Sequence, residues 1–99
     1  MAGIRPMTTE FAWDGEKDKV NQLKHGVSFD EAKSVFYDDM ASIIDDPDHS
    51  EKEDRFVILG MSNHLRVLIV VHCYRENDDV IRIISARKAS KQERKGYRG

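Results

Sequence analysis

Val67-Leu68-Ile69-Val70-Val71 is an unbroken apolar run, and no other feature of the chain restricts its fold as strongly. The run is far shorter than the ~20 residues a membrane-spanning helix needs. It lies between two polar, turn-like segments, Ser62-Asn63-His64 and Arg75-Glu76-Asn77-Asp78-Asp79. Length and flanks together read as a strand covered on both faces, hence a central one. Other strand-like segments accompany it: Ala41-Ser42-Ile43-Ile44, Phe56-Val57-Ile58-Leu59-Gly60 and Val80-Ile81-Arg82-Ile83-Ile84-Ser85. The links are short, the acidic Asp45–Asp54 loop with its Pro47 among them, so the strands are expected to form an antiparallel meander.

Upstream of these strands the pattern is helical. Phe11-Ala12-Trp13 is a short apolar–aromatic run suited to a first strand. Asp14 can cap a helix that has Glu16 in its first turn. That helix runs to about Lys24 and stops at His25-Gly26, where glycine suits the left-handed C′ position. Its apolar residues are few, Val20 and Leu23, so much of its surface is expected to be wet. Ser28-Phe29-Asp30-Glu31 is a capping box for a second helix reaching about Tyr37. Phe29, Ala32, Val35 and Phe36 lie along one face of it at core spacing. So short a link between the two predicts a helical hairpin.

Ser90-Lys91-Gln92-Glu93 is another capping box and opens a short, basic C-terminal helix. The order of elements predicts an α+β domain with helices on one face of a mostly antiparallel sheet. Residues 1–9 lack periodicity and read as a flexible leader. Residues 10–99 then make a single domain, near the lower limit for a self-sufficient core.

Charge divides the chain sharply. The formal net charge is −2, but Val80 to Gly99 holds seven Lys/Arg against the single acid Glu93, which leaves the rest at −8. Such asymmetry points to a polyanion on the basic part or to a charged protein partner, with a solvated basic helix as the alternative. The one cysteine, Cys73, cannot form an internal disulfide, and the start lacks the basic, apolar and small-residue pattern of an export signal. A cytoplasmic protein is therefore expected. The histidines and Cys73 show no paired close spacing, and Asp45, Asp46 and Asp48 lack the glycine and distant glutamate of a calcium loop. No metal or other cofactor is expected.

Three blocks carry a family resemblance. Phe11-Ala12-Trp13-Asp14…Lys17, followed by Asn21…Lys24-His25-Gly26-Val27-Ser28-Phe29-Asp30-Glu31-Ala32, is similar to the opening of BrnT-family toxins. Asp48-His49-Ser50-Glu51…Glu53-Asp54-Arg55-Phe56…Gly60 resembles their middle block. Ile81-Arg82-Ile83-Ile84-Ser85-Ala86-Arg87-Lys88-Ala89-Ser90…Glu93-Arg94…Tyr97 resembles their closing block. The resemblance implies a RelE-like fold, metal-independent RNA cleavage and growth inhibition relieved by an antitoxin. It further implies a BrnA-like antitoxin that binds operator DNA through a ribbon-helix-helix element, and a toxin–antitoxin heterotetramer is expected.

Metal-independent RNA cleavage needs a base for the 2′-hydroxyl, positive charge on the developing phosphorane and a proton donor for the leaving oxygen. Arginine suits the second task, because its planar fork matches phosphate oxygens. Arg55 and Arg87, at strand ends, are the first candidates. Strict alternation sets Arg82 on the face opposite Arg87, so only one of them faces RNA unless a bulge intervenes. The resemblance favours Arg87, and Arg82 is a candidate RNA contact. Glu53, His72 and His49 are the candidate acids and bases. Glu53 shares a face with Arg55 in an extended segment, while His72 shares one with Arg66, Leu68, Val70 and Tyr74. Lys17, Lys24 and His25 on the first helix, with Lys91, are candidates for the RNA backbone, and Tyr97 for stacking on a base. A non-catalytic nucleic-acid- or protein-binding module would use the same basic end.

Overall fold

The structure, a computed structural model, describes residues 10–44, 55–75 and 79–98. The expected leader, the acidic loop with His49 and Glu53, and the middle of the last turn lie outside the described residues. Strand β1 (Glu10–Ala12) leads into helix α1 (Gly15–His25) and helix α2 (Phe29–Ser34), which continues as a 3-10 turn over Val35–Tyr37. Then come β2 (Ser42–Ile44), β3 (Phe56–Met61), β4 (Val67–Arg75), β5 (Val80–Lys88) and a short helix α3 (Lys91–Arg94).

Local chemistry sets the helix ends. Asp14 accepts from the backbone N–H groups of Glu16 and Lys17, and Gly26 closes α1 with φ 68°. A left-handed residue here is cheap only without a side chain. The Asp18 carboxylate reaches forward to the Phe29 N–H at 2.9 Å, tying α1 to the start of α2. Ser28 caps α2 as expected, but Glu31 does not reach back to it. Its carboxylate instead takes hydrogen bonds from Ser62 Oγ and from Nε and Nη2 of Arg66. The pull of a guanidinium outweighs the pull of one backbone amide. At α3 both halves of the capping box form.

The sheet order is β1-β5-β4-β3-β2. The last four strands in the sequence make the expected antiparallel meander, and β4 is the middle strand of the five. β1 adds to the far edge in parallel with β5, pairing Glu10 with Val80 and Ala12 with Arg82. The two longest strands outrun their apolar cores. β4 continues through His72, Cys73 and Tyr74 to Arg75, and β5 through Arg87 and Lys88, because each supplies the other's backbone partners along that length. Arg75 is thus a strand residue and not part of a turn.

Even-numbered residues of β4 face the helices. Leu68 and Val70 join Ile58, Ile81, Ile83 and Ala86 beneath Phe29, Ala32, Val35 and Phe36. The opposite face carries a smaller cluster of Val57, Leu59, Ile69, Val71 and Ala89, with Tyr97 packed against it. Gly60 on β3 marks the tightest approach between layers. A Cβ built there would stand 2.8 Å from Ala41 Cβ and 2.9 Å from Val35 Cγ1. Gly60→Ala is expected to destabilise by about 1–3 kcal/mol through overpacking, read as a fall in the thermal midpoint by circular dichroism. An unchanged midpoint would mean that the 3-10 turn moves aside freely.

Candidate nucleic-acid interface

Register decides what the face away from the helices presents. Val71 pairs with Ser85 but His72 pairs with Ile83, so Ile84 is an extra residue on β5. This β-bulge reverses alternation along the rest of the strand. Arg82 stands opposite Cys73 and Arg87 opposite Ile69, and both therefore share the open face with Val71. Alternation alone would have parted them. Arg75, paired with Val80, lies on the same face. Extending the β3 register by one residue sets Arg55 opposite Cys73 as well. One sheet face thus gathers Arg55, Arg75, Arg82 and Arg87.

Two concavities border these arginines. A cleft of about 450 Å³ is lined by Ala12, Arg75, Val80 and Arg82. A groove of about 290 Å³ separates α1 from the bulge, with Lys17, Lys24, His25 and Glu16 on one wall and Ile84 and Ser85 on the other. The structure therefore brings together the three α1 residues singled out from the sequence. Asp14 links the two regions. Its carboxyl is held below the usual range by the Glu16 and Lys17 amides, with the charges of Lys17 and Arg82 adding to the effect.

Arg87 is engaged. Its Nη1 and Nη2 donate to Glu93 Oε1 and Oε2 at 2.8 and 2.9 Å, and Nη1 also reaches Lys88 O. That fork pushes the Glu93 carboxyl down to about 2, which leaves it a poor base. Lys91 is exposed on α3. Tyr97 is half-buried. Its hydroxyl donates to Asp38 Oδ2 at 2.6 Å, and burial with the Asp38 carboxylate pushes it up to about 12.

His72 does not join the arginines. Alternation placed it correctly beside Leu68, Val70 and Tyr74, but that is the helix-covered face, and the residue is 0 % exposed. Its ring sits among Phe36, Phe56 and Tyr74. Nδ1 lies 3.2 Å from Val70 O, and Nε2 has no partner among the described residues. Burial drives its pKa from 6.5 down to about 4, so the folded protein holds it neutral and out of contact with solvent.

This burial gives the protein an acid sensitivity. Below pH 6.5 the unfolded chain takes up a proton that the folded one refuses until about pH 4. Stability is then complete above 6.5 and falls as the pH drops through that window, by up to about 3 kcal/mol. Carboxylates with lowered pKa add to the loss only further down. Urea unfolding from pH 7 to 5 measures the slope, which His72→Phe should flatten. A wild-type midpoint that stays constant over this range would contradict the assignment.

Sequence reading missed Arg75, the Glu93 partnership and the hydrogen bonds of buried Asn21 to Val27 and Ala86. Carrying the β4 alternation past Cys73 would have found the first. The Glu93 pair spans only six residues but needs the turn from β5 into α3, and the Asn21–Ala86 contact spans 65.

A family model described as the ribonuclease toxin BrnT of a type II toxin–antitoxin system matches residues 13–93. The chain belongs to the BrnT family. Membership makes it a ribonuclease toxin of a type II system, which implies a protein antitoxin as partner. Among solved structures, this BrnT chain is similar to the ribonuclease toxin BrnT of Brucella abortus. Identity is 26 %, the TM-score is 0.65, and the match covers 85 % of this chain and 100 % of that one. No curated protein matches it. The matched family region begins at Trp13 and ends at Glu93, so it takes in β2 to β5, all the open-face arginines and the carboxylate that holds Arg87.

Proposed function

We propose that this BrnT-family toxin is a metal-independent endoribonuclease of RelE-like fold, with α1 and α2 as its helical hairpin, and that RNA lies across the sheet face opposite the helices. The observation that carries this reading is the bulge at Ile84, which turns Arg82 and Arg87 to the same open face. The 2′-oxygen attacks the adjacent phosphorus, the bond to the 5′-oxygen breaks, and a 2′,3′-cyclic phosphate and a 5′-hydroxyl end result. Arginine stabilises the charge on the phosphorane. Arg87 and Arg55 take that role, Glu53 is the candidate acceptor for the 2′-hydroxyl proton, and Lys17, Lys24, His25 and Lys91 hold the backbone. A BrnA-like ribbon-helix-helix antitoxin neutralises the toxin in a heterotetramer and supplies the contact with operator DNA. Exposed Tyr37, Met40, Ile43 and Phe56 supply apolar surface for a protein partner.

The burial of His72 favours one other reading, a module that binds RNA without cutting it. Incubating purified protein with total RNA in EDTA separates the two. Cleavage to cyclic-phosphate ends supports the enzyme. Binding without cleavage, with or without magnesium, overturns it.

A further inference from the structure

We propose that the cleft between the ends of β1, β4 and β5 is a second phosphate subsite, which holds a backbone phosphate of single-stranded RNA away from the one being cleaved. This rests on the reading of the open face as an RNA surface. Arg75 and Arg82 line the cleft with Ala12 and Val80. They stand diagonally across the β4–β5 ladder, since Arg75 pairs with Val80 and Arg82 with Cys73. Diagonal neighbours lie about 7–8 Å apart, a distance two arginine side chains close easily on one anion between them.

Their electrostatic setting differs from that of Arg66 and Arg87. Arg66 is tied to Glu31 and Arg87 to Glu93. Neither Arg75 nor Arg82 makes an ion pair with a described residue. Asp14 exerts an attraction on Arg82 but makes no ion pair with it, and its Oδ1 accepts from the two amides at the start of α1. Glu10 lies across Val80 from Arg75, one strand further off. The neighbouring wall residues Ala12 and Val80 are small and apolar, so among the described residues the guanidinium groups supply the chemistry of the cleft. Two guanidinium forks that line one concavity and make no ion pair with a described residue suit a phosphodiester, whose planar oxygen pairs they match.

Position then gives direction. Arg82 and Arg87 are five residues apart on β5, about 16 Å at the rise of a strand. One phosphate cannot bridge that span. RNA that reaches both runs along β5, past the bulge, with the α1 groove and its Lys17 alongside.

The salt dependence of binding tests the subsite. The probe is a 2′-O-methyl RNA oligonucleotide, which lacks the attacking hydroxyl, titrated by fluorescence anisotropy over a range of salt. Loss of one phosphate contact lowers the slope of log Kobs against log salt by about 0.7 for single strands. The double variant Arg75→Ala/Arg82→Ala should show that drop and weaken binding equally across sequences. Arg75→Lys/Arg82→Lys keeps the charge and should keep the slope. Lys19→Ala, on exposed α1 surface, should leave it unchanged. A double alanine variant with the wild-type slope and thermal midpoint overturns the subsite, even if the protein cleaves RNA. A slope that drops in a protein that cuts no RNA upholds the subsite and overturns the ribonuclease reading instead. No binding of the probe to the wild-type protein overturns the subsite outright.

Discussion

Arg87→Ala is expected to slow RNA cleavage about 10²–10³-fold, the usual cost of removing one donor aimed at developing transition-state charge. The geometry makes the variant informative, because Arg87 has two jobs to lose. Its guanidinium grips both oxygens of Glu93, and that grip links β5 to α3. Glu93 also closes the capping box with Ser90, so α3 keeps its own start when the arginine is gone. Two companions separate the roles. Arg87→Lys retains the charge but not the fork, and should recover only part of the rate. Glu93→Gln removes the negative charge beside the guanidinium while keeping an oxygen that can accept. If Arg87 acts on phosphate, this variant cleaves as fast as the parent or faster. If Arg87 serves α3 alone, Glu93→Gln and Arg87→Ala lose thermal stability together and neither changes the rate per folded molecule. Initial rates on a fluorescent RNA, corrected for the folded fraction, decide between them. Wild-type rates in Arg87→Ala would remove this arginine from the site.

How far the sequence revealed this arrangement depended on the range over which each feature is determined. Helix starts and stops were legible, because Asp14, Gly26, Ser28 and Ser90 act on backbone groups within a few residues. The apolar run of β4 announced a central strand, and alternation put His72 on the correct side of it. Which side the helices would cover was not legible, since both faces of β4 are apolar up to Val71. A candidate acid or base therefore became a core residue. The bulge was equally hidden. It exists only as a mismatch between two strands, with Ile84 unremarkable in the run Val80–Ser85, yet it determines whether Arg82 and Arg87 meet the same ligand. Arg75 was obscured by its polar neighbours, which made the end of a strand look like a turn. The three-residue β1 pairs in parallel with residues some seventy positions later, a contact for which no local pattern exists.

Asn21→Ala should be the most destabilising single change on α1, although the sequence offers only a polar residue on a thinly apolar helix. The parallel pairing of β1 ends at Arg82, and the edge of β5 beyond it is bare of strand. Asn21, 5 % exposed, fills that gap. Its Oδ1 accepts from Ala86 N at 3.1 Å, and its Nδ2 donates to Ala86 O at 2.7 Å and to Val27 O at 2.8 Å. One side chain thus does for Ala86 what a neighbouring strand would do, and it fixes the turn after α1 at the same time. Truncation leaves buried backbone groups unpaired at about 1–3 kcal/mol each. Water entering from the α1 groove recovers part of this, so a net loss of about 3 kcal/mol is expected. For a domain of this size that corresponds to a fall of roughly 12–24 °C in the thermal midpoint. Asn21→Asp keeps the acceptor for Ala86 N but turns a carboxylate toward two carbonyl oxygens. It should be at least as damaging at neutral pH and recover as acid protonates it, which a simple loss of packing would not do. A midpoint within about 4 °C of the parent in Asn21→Ala, below 1 kcal/mol, would show that the edge of β5 needs no side-chain partner. The consequence reaches the proposed RNA surface, because Lys17, Lys24 and His25 stand beside β5 only as long as α1 is held against it. Asn21 is the buried polar group that holds α1 there.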